Sequence, residues 1–201
     1  MTVLGRRTIL LALSGAAATA AGCTLGSPPV TRPTVDDLGL IRLLASLEAT
    51  AILNYQTILD GLDSGRLGPA QPALKAFYVS AQAHHRDHQR AWNKILSQAG
   101  GAPQTAVDPV LDAEIKTALR AVQGVADIIP PATRIETTLA QTISSAAVTL
   151  GDAGHVAIAA RTAAVEAEHA GILQYLGGAE LFVEANVVND FVRPRTDLGK
   201  S

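Results

Sequence analysis

The chain has 201 residues, 48% of them hydrophobic but only 3% aromatic, with a formal net charge of −2. That length suits one domain with a real core, and abundant alanine with few aromatics argues for closely packed helices over a β-sandwich. The body of the chain carries no basic cluster, so nucleic-acid binding has little support.

Residues 1–22 read as an export signal. Arg6 and Arg7 precede an apolar run of 15 residues, Thr8 to Gly22, shorter than the about 20 that a spanning helix needs. The segment GRRTILL resembles a twin-arginine (Tat) signal in part. The segment AAGC resembles a lipobox, which implies a lipidated Cys23 as the first mature residue. Cys23 is the only cysteine, so an exported protein of this kind has no internal disulfide and depends on its core. The alternative is a simple cleaved signal with Cys23 incidental. Residues 23–34 are Pro-rich and polar and read as an extended tether. The expectation is a domain held at the outer face of the cytoplasmic membrane through Cys23.

Residues 35–190 read as a helical bundle and 191–201 as a tail. The first helix is expected over about Val35–Leu62, with Leu40, Leu44, Leu47, Ala51, Tyr55 and Ile58 on one stripe. Glycines and prolines in GLDSGRLGPAQP break the chain. The second helix is expected over Ala73–Gln98, stopped by AGGAP. A long connection follows, with a short helix over Asp112–Val125, and ends at Pro130-Pro131. The third long helix is expected over Ala132–Leu150. The fourth starts after Asp152 as N-cap and ends at Gly177-Gly178, with Val165, Ile172, Leu173 and Leu176 inward. A short segment, Leu181–Phe191, remains. Four long amphipathic helices make a four-helix bundle, all-α, with a long crossover between the second and third.

Each stripe carries polar residues that an apolar seam tolerates only with compensation. Glu48 lies with Leu44 and Tyr55. Heptad counts through Tyr78, His85 and Trp92, and through Ala81, His88 and Ile95, put both histidines on the seam. Glu136 lies with Leu139 and Ile143, and Glu166 with His169. No inward Lys or Arg offsets them, and the compensation inferred is metal. Carboxylate-rich dimetal bundles take one Glu from each of two helices and Glu-x-x-His from each of the other two. Here the order is Glu48, HRDH (His85, His88), Glu136, EAEH (Glu166, His169). A register using Gln82 and His85 is the alternative, but His88 stands twelve residues before Gly100, which suits the second helix better.

On these residues, and on LEATAILNY with Tyr55 seven positions after Glu48, the chain resembles the ferritin-like superfamily from about Leu40 to Leu176. AAVEAEHAGIL is most similar to exported bacterial and desiccation-related ferritin-like domains. The resemblance implies one or two Fe or Mn ions bound by Glu48, His85, His88, Glu136, Glu166 and His169, with Tyr55 as a hydrogen-bonding neighbour and His84 as a flanking group. One departure stands out: the family has Glu where this chain has His85. A neutral imidazole binds one metal through one nitrogen, so a single ion or an unequal pair is expected. His155 falls on the face of His169 but about 21 Å away along the axis, where it reads as a surface residue.

Two classes of function follow. One is an envelope-anchored metalloprotein with ferroxidase-like or peroxide-consuming chemistry, or a part in oxidative-stress protection. The other is a metal-free ferritin-like lipoprotein with a non-catalytic envelope or stress role, its polar residues kept as a buried hydrogen-bond network. In that second case Glu166→Gln is expected to relieve like-charge repulsion. A homodimer is compatible with either class, and the sequence names no other protein partner.

Overall fold

In a computed structural model, residues 35–70 and 72–178 are described, and their regular structure is helical throughout. The helices are α1 (Val35–Asp63), α2 (Pro72–Gln98), α3 (Pro109–Ala121), α4 (Ile129–Ala147) and α5 (Ala153–Leu176), with a 3-10 turn at Val125–Ile128 before α4. The expected signal, Cys23, the tether and the segment Leu181–Phe191 with the tail all lie outside the described residues. Helices α1, α2, α4 and α5 form the all-α four-helix bundle. α1 packs chiefly on α2 and α4 chiefly on α5, so the bundle is two helical hairpins joined by the crossover that carries α3.

The boundaries have local causes. Asp108 caps α3 by accepting a hydrogen bond from Leu111 N at 2.8 Å, and Pro109 follows at the first helical position. That cap starts the crossover helix three residues earlier than Asp112, and Val122, in extended backbone, ends it before Val125. α4 likewise begins at Ile129 instead of Ala132. Pro130 and Pro131 occupy its first turn, where a missing N–H costs nothing because those groups have no intrahelical partner. Gly100, with φ of +79°, closes α2 in the left-handed region that favours glycine.

Asp152 caps α5 as expected, accepting from His155 N at 3.0 Å. Asp152→Ala is expected to cost about 1 kcal/mol. The measurement is urea unfolding, with a lower midpoint at unchanged slope; an unchanged midpoint would deny the cap that weight.

The core runs the length of the bundle through Leu40, Leu44, Tyr55, Ile58, Tyr78, Trp92, Ile135, Leu139, Ile143 and Leu173. The seam of α5 is not the one the apolar residues suggested. It comprises Ala159, Thr162, Ala163, Glu166, His169, Ala170 and Leu173. Ile172 is 37% exposed and Leu176 44% exposed, and Val165 is only half-buried. The helix turns its alanine row inward because small residues let α4 and α5 approach closely, and the bulkier neighbouring row is left at the flank.

α1 is buried on nearly every side between Leu40 and Ala51. Its second face is covered by the crossover, which a polar ladder holds in place. The Thr50 hydroxyl oxygen accepts from Asp108 N at 2.8 Å, Ser46 O accepts from the same N–H at 3.2 Å, and Asn54 Nδ2 donates to Asp112 Oδ1 at 3.2 Å. Spaced by four, Ser46, Thr50 and Asn54 share one helix face. By length and composition α1 alone among the described helices could cross a membrane, and most of that stretch is buried inside the fold.

Candidate metal centre

Six side chains from four helices meet at mid-bundle. Glu48 comes from α1, His85 and His88 from α2, Glu136 from α4, Glu166 and His169 from α5. Glu48, His85, Glu136 and Glu166 are fully buried, His169 is 5% exposed, and His88 is half-buried. They arrive together because Glu48 and Glu136 each occupy one seam position, while the two i, i+3 pairs present both members to the same interior. Gln82 does not join them. Its Nε2 donates to Ile52 O at 3.0 Å and to Gln56 Oε1 at 3.1 Å, which leaves the register to His85 and His88.

Two overlapping sets of side chains have ligand atoms close enough to surround an ion. One is Glu48, His85, His88 and Glu166; the other is His85, Glu136, Glu166 and His169. The first pair of hairpin helices supplies three members of the first set, and the second pair supplies three of the second. His85 and Glu166, the leading residues of the two i, i+3 pairs, belong to both.

The imidazole of His85 spans the centre. Its Nδ1 lies 2.9 Å from Glu48 Oε2 and 3.5 Å from Glu166 Oε1, and its Nε2 lies 3.0 Å from Glu136 Oε1. His88 Nδ1 lies 2.7 Å from Glu166 Oε1 and 3.7 Å from Glu48 Oε1. His169 Nδ1 stands 3.2 Å from Glu166 Oε2 and 3.4 Å from Glu136 Oε2, without the alignment of a hydrogen bond. Glu48 Oε1, Glu136 Oε2, Glu166 Oε2 and His169 Nδ1 are buried and make no hydrogen bond. Four such atoms in one cluster are unusual in a folded interior. A cation in the first set would satisfy Glu48 Oε1 and one in the second would satisfy Glu136 Oε2, Glu166 Oε2 and His169 Nδ1, so the residues present fit metal ions.

Aromatic and imidazole groups fix this arrangement. The Tyr55 hydroxyl donates to Glu136 Oε1, and the Tyr55 ring stands edge-on to His85 with centroids 5.2 Å apart. Phe77 meets His169 edge-on at 5.8 Å. His84, exposed on α2, puts its Nδ1 3.1 Å from His169 Nε2 with the ring planes within 3° of parallel. It therefore touches a cluster histidine directly, as its place beside the seam allows. His155 lies apart from the cluster near the start of α5, partly buried and 3.9 Å from Asp152 Oδ1.

The electrostatics follow from three carboxylates and three imidazoles in little water. Burial, and then repulsion from Glu166, push the Glu48 carboxyl up to about 7. Burial alone would lower the two buried histidines, but the carboxylates outweigh it. Glu166 and Glu136 raise His85 well above its usual range, and the same two hold His169 at about 9. Burial would raise Glu166, yet His85, His169 and His88 together hold it well below the usual carboxylate range. Among the described residues no lysine or arginine is buried, so imidazolium or metal are the cations left to balance the glutamates.

Sequence reading missed the polar ladder Ser46, Thr50 and Asn54, which braces the helix that carries Glu48. Its signal was present as an i, i+4 run of short polar side chains inside an apolar helix. A family model described as Ferritin-like domain matches residues 20–179. No curated protein and no solved structure matches the chain.

Proposed function

Because the chain belongs to the ferritin-like domain family, we propose that it is an exported, membrane-anchored metalloprotein that holds one or two Fe or Mn ions at mid-bundle. The observation that supports this most is the set of four unbonded, buried N and O atoms on Glu48, Glu136, Glu166 and His169. Glu48, Glu136, Glu166, His85, His88 and His169 are the ligands in this reading. A redox-active ion bound there would supply oxidation by oxygen or peroxide, and with it protection against oxidative stress. Tyr55 orients Glu136 through its hydroxyl, and His84 Nδ1, 3.1 Å from His169 Nε2, positions the ring that turns its Nδ1 to the interior. The apolar walls around Tyr55, Tyr78 and Trp92 keep bulk water out.

Export through the Tat-like signal and anchoring by lipid on Cys23 belong to the same proposal. They rest on Arg6, Arg7, the short apolar run and the lone cysteine. A tethered domain suits the membrane face better than a closed storage shell. One observation favours a second reading, a metal-free ferritin-like lipoprotein with a non-catalytic envelope role: His85 already meets a carboxylate at each nitrogen.

Elemental analysis of protein purified from cells without added metal separates the two. About one to two Fe or Mn per chain is expected, and metal-free protein that binds none on titration would favour the second reading. Cys23→Ser is expected to leave the precursor unprocessed or release it from the membrane fraction. A fully processed, membrane-bound variant would remove the anchor.

A further inference from the structure

His85 is the one side chain of the cluster that offers a different nitrogen to each half of it. Nδ1 faces Glu48 and Glu166 Oε1, beside His88, and Nε2 faces Glu136, beside His169. Ligands about 2.0–2.1 Å from a tetrahedral ion lie roughly 3.3 Å from one another. At Nδ1 the contacts to Glu48 Oε2 at 2.9 Å and Glu166 Oε1 at 3.5 Å fall on either side of that spacing, and at Nε2 the contact to Glu136 Oε1 is 3.0 Å. The 2.9 and 3.0 Å contacts are hydrogen bonds that an ion at each nitrogen would replace. Each half also holds unbonded atoms: Glu48 Oε1 in the first, and Glu136 Oε2, Glu166 Oε2 and His169 Nδ1 in the second.

We infer that His85 bridges two metal positions as an imidazolate, one with Glu48, His88 and Glu166, the other with Glu136, Glu166 and His169. This rests on the metal-binding reading and replaces the expectation that an imidazole here serves one ion only. A ring bound through both nitrogens has no place for a proton. A protonated ring gives up one N–H proton to the buffer as the first ion binds and the other as the second ion binds, drawn off by the ions' charge as metals do to other ligands. Charge balance supports the step. Three carboxylates against two divalent ions leave one positive charge uncompensated in a buried site, where that is costly. The imidazolate cancels it, so His85 supplies the fourth negative charge without a fourth carboxylate.

The geometry separates this bridge from a carboxylate or oxygen bridge. Two M–N bonds of about 2.0–2.1 Å on opposite sides of an imidazole hold the ions roughly 6 Å apart, whereas most two-metal sites place them about 3.5–4 Å apart. The test loads the full-length, metal-stripped protein with Cu(II), which binds nitrogen and oxygen ligands tightly. Stoichiometry, anomalous diffraction and low-temperature electron paramagnetic resonance are then measured. Two ions per chain roughly 6 Å apart, flanking the His85 ring, are expected, with a spin signal well below that of two isolated ions. In His85→Gln the coupling should vanish, leaving one ion per chain or two with full signal. If that variant does not fold, the spacing in the wild-type protein decides alone. Two ions at about 3.5–4 Å, a single ion at saturating Cu(II), or coupling unchanged in His85→Gln overturns the bridge and leaves metal binding standing. No ion in the cluster overturns both.

Discussion

Glu166→Gln is expected to abolish most metal binding and to cost the metal-free bundle about 3–5 kcal/mol, the usual penalty for removing one partner of a buried charged pair. Glu166 belongs to both candidate sets, and its two oxygens face different histidines: Oε1 lies 2.7 Å from His88 Nδ1, and Oε2 lies 3.2 Å from His169 Nδ1. Gln keeps the volume and loses the charge. In the wild type, an ion at one hundred times its Kd raises stability by about 2.7 kcal/mol, and in the variant the melting temperature should stop responding to added Mn(II). Calorimetry with and without metal, beside elemental analysis, reads both effects. Unchanged metal content would remove Glu166 from the ligands. The structure also reverses the sign expected from sequence for the metal-free protein. Three imidazoles converge on this carboxylate, so its removal strands positive charge and outweighs the repulsion of Glu48 that it relieves.

The metal-free protein is expected to lose stability as pH rises from about 5 to about 9, a direction opposite to acid denaturation. Glu48 is held at about 7 against an ordinary 4.5, so the fold favours its protonated form. That contribution is complete below the ordinary value and is lost as pH passes about 7. His169, at about 9 against 6.5, contributes fully below 6.5 and loses its share through about 9. His85 is raised and acts in the same sense. Glu166 is lowered and acts in the opposite one, its contribution lost only as pH falls below the ordinary carboxylate range. Shifts like those of Glu48 and His169 are each worth on the order of 3 kcal/mol. Metal binding needs the deprotonated ligands, so Mn(II) affinity should climb over the same pH range. Melting temperatures of chelator-treated protein against pH provide the measurement. A flat profile between pH 5 and 9 would show that these groups do not titrate with folding.

Much of this site was legible because burial and periodicity constrain each other. Glu48, His85, Glu136, Glu166 and His169 stand at helical spacing among apolar residues, and polar groups placed so must meet one another or an ion. The four long helices were legible for the same reason. Periodicity gives a face only to within one residue row. Hence Ile172 and Leu176 were expected inside, whereas the alanine row of α5 took the seam. Ser46, Thr50 and Asn54 went unremarked: their i, i+4 spacing is visible along α1, but nothing local reveals that the crossover lies on them. The double role of His85 was illegible for a different reason. Which nitrogen faces which carboxylate depends on three neighbouring helices, and no spacing along α2 encodes it.

The division of the bundle into two hairpins bears on what keeps it closed. α1 and α2 carry Glu48, His85 and His88; α4 and α5 carry Glu136, Glu166 and His169. Neither hairpin completes a ligand set, since the first borrows Glu166 and the second borrows His85. With a single cysteine, the chain cannot form a disulfide with itself. An ion seated between the halves would do the work of a crosslink, pinning two segments whose covalent link is the stretch between Gln98 and Ile129. Such a staple would have a grip that follows metal supply instead of redox state, gained or lost with the ions around the protein.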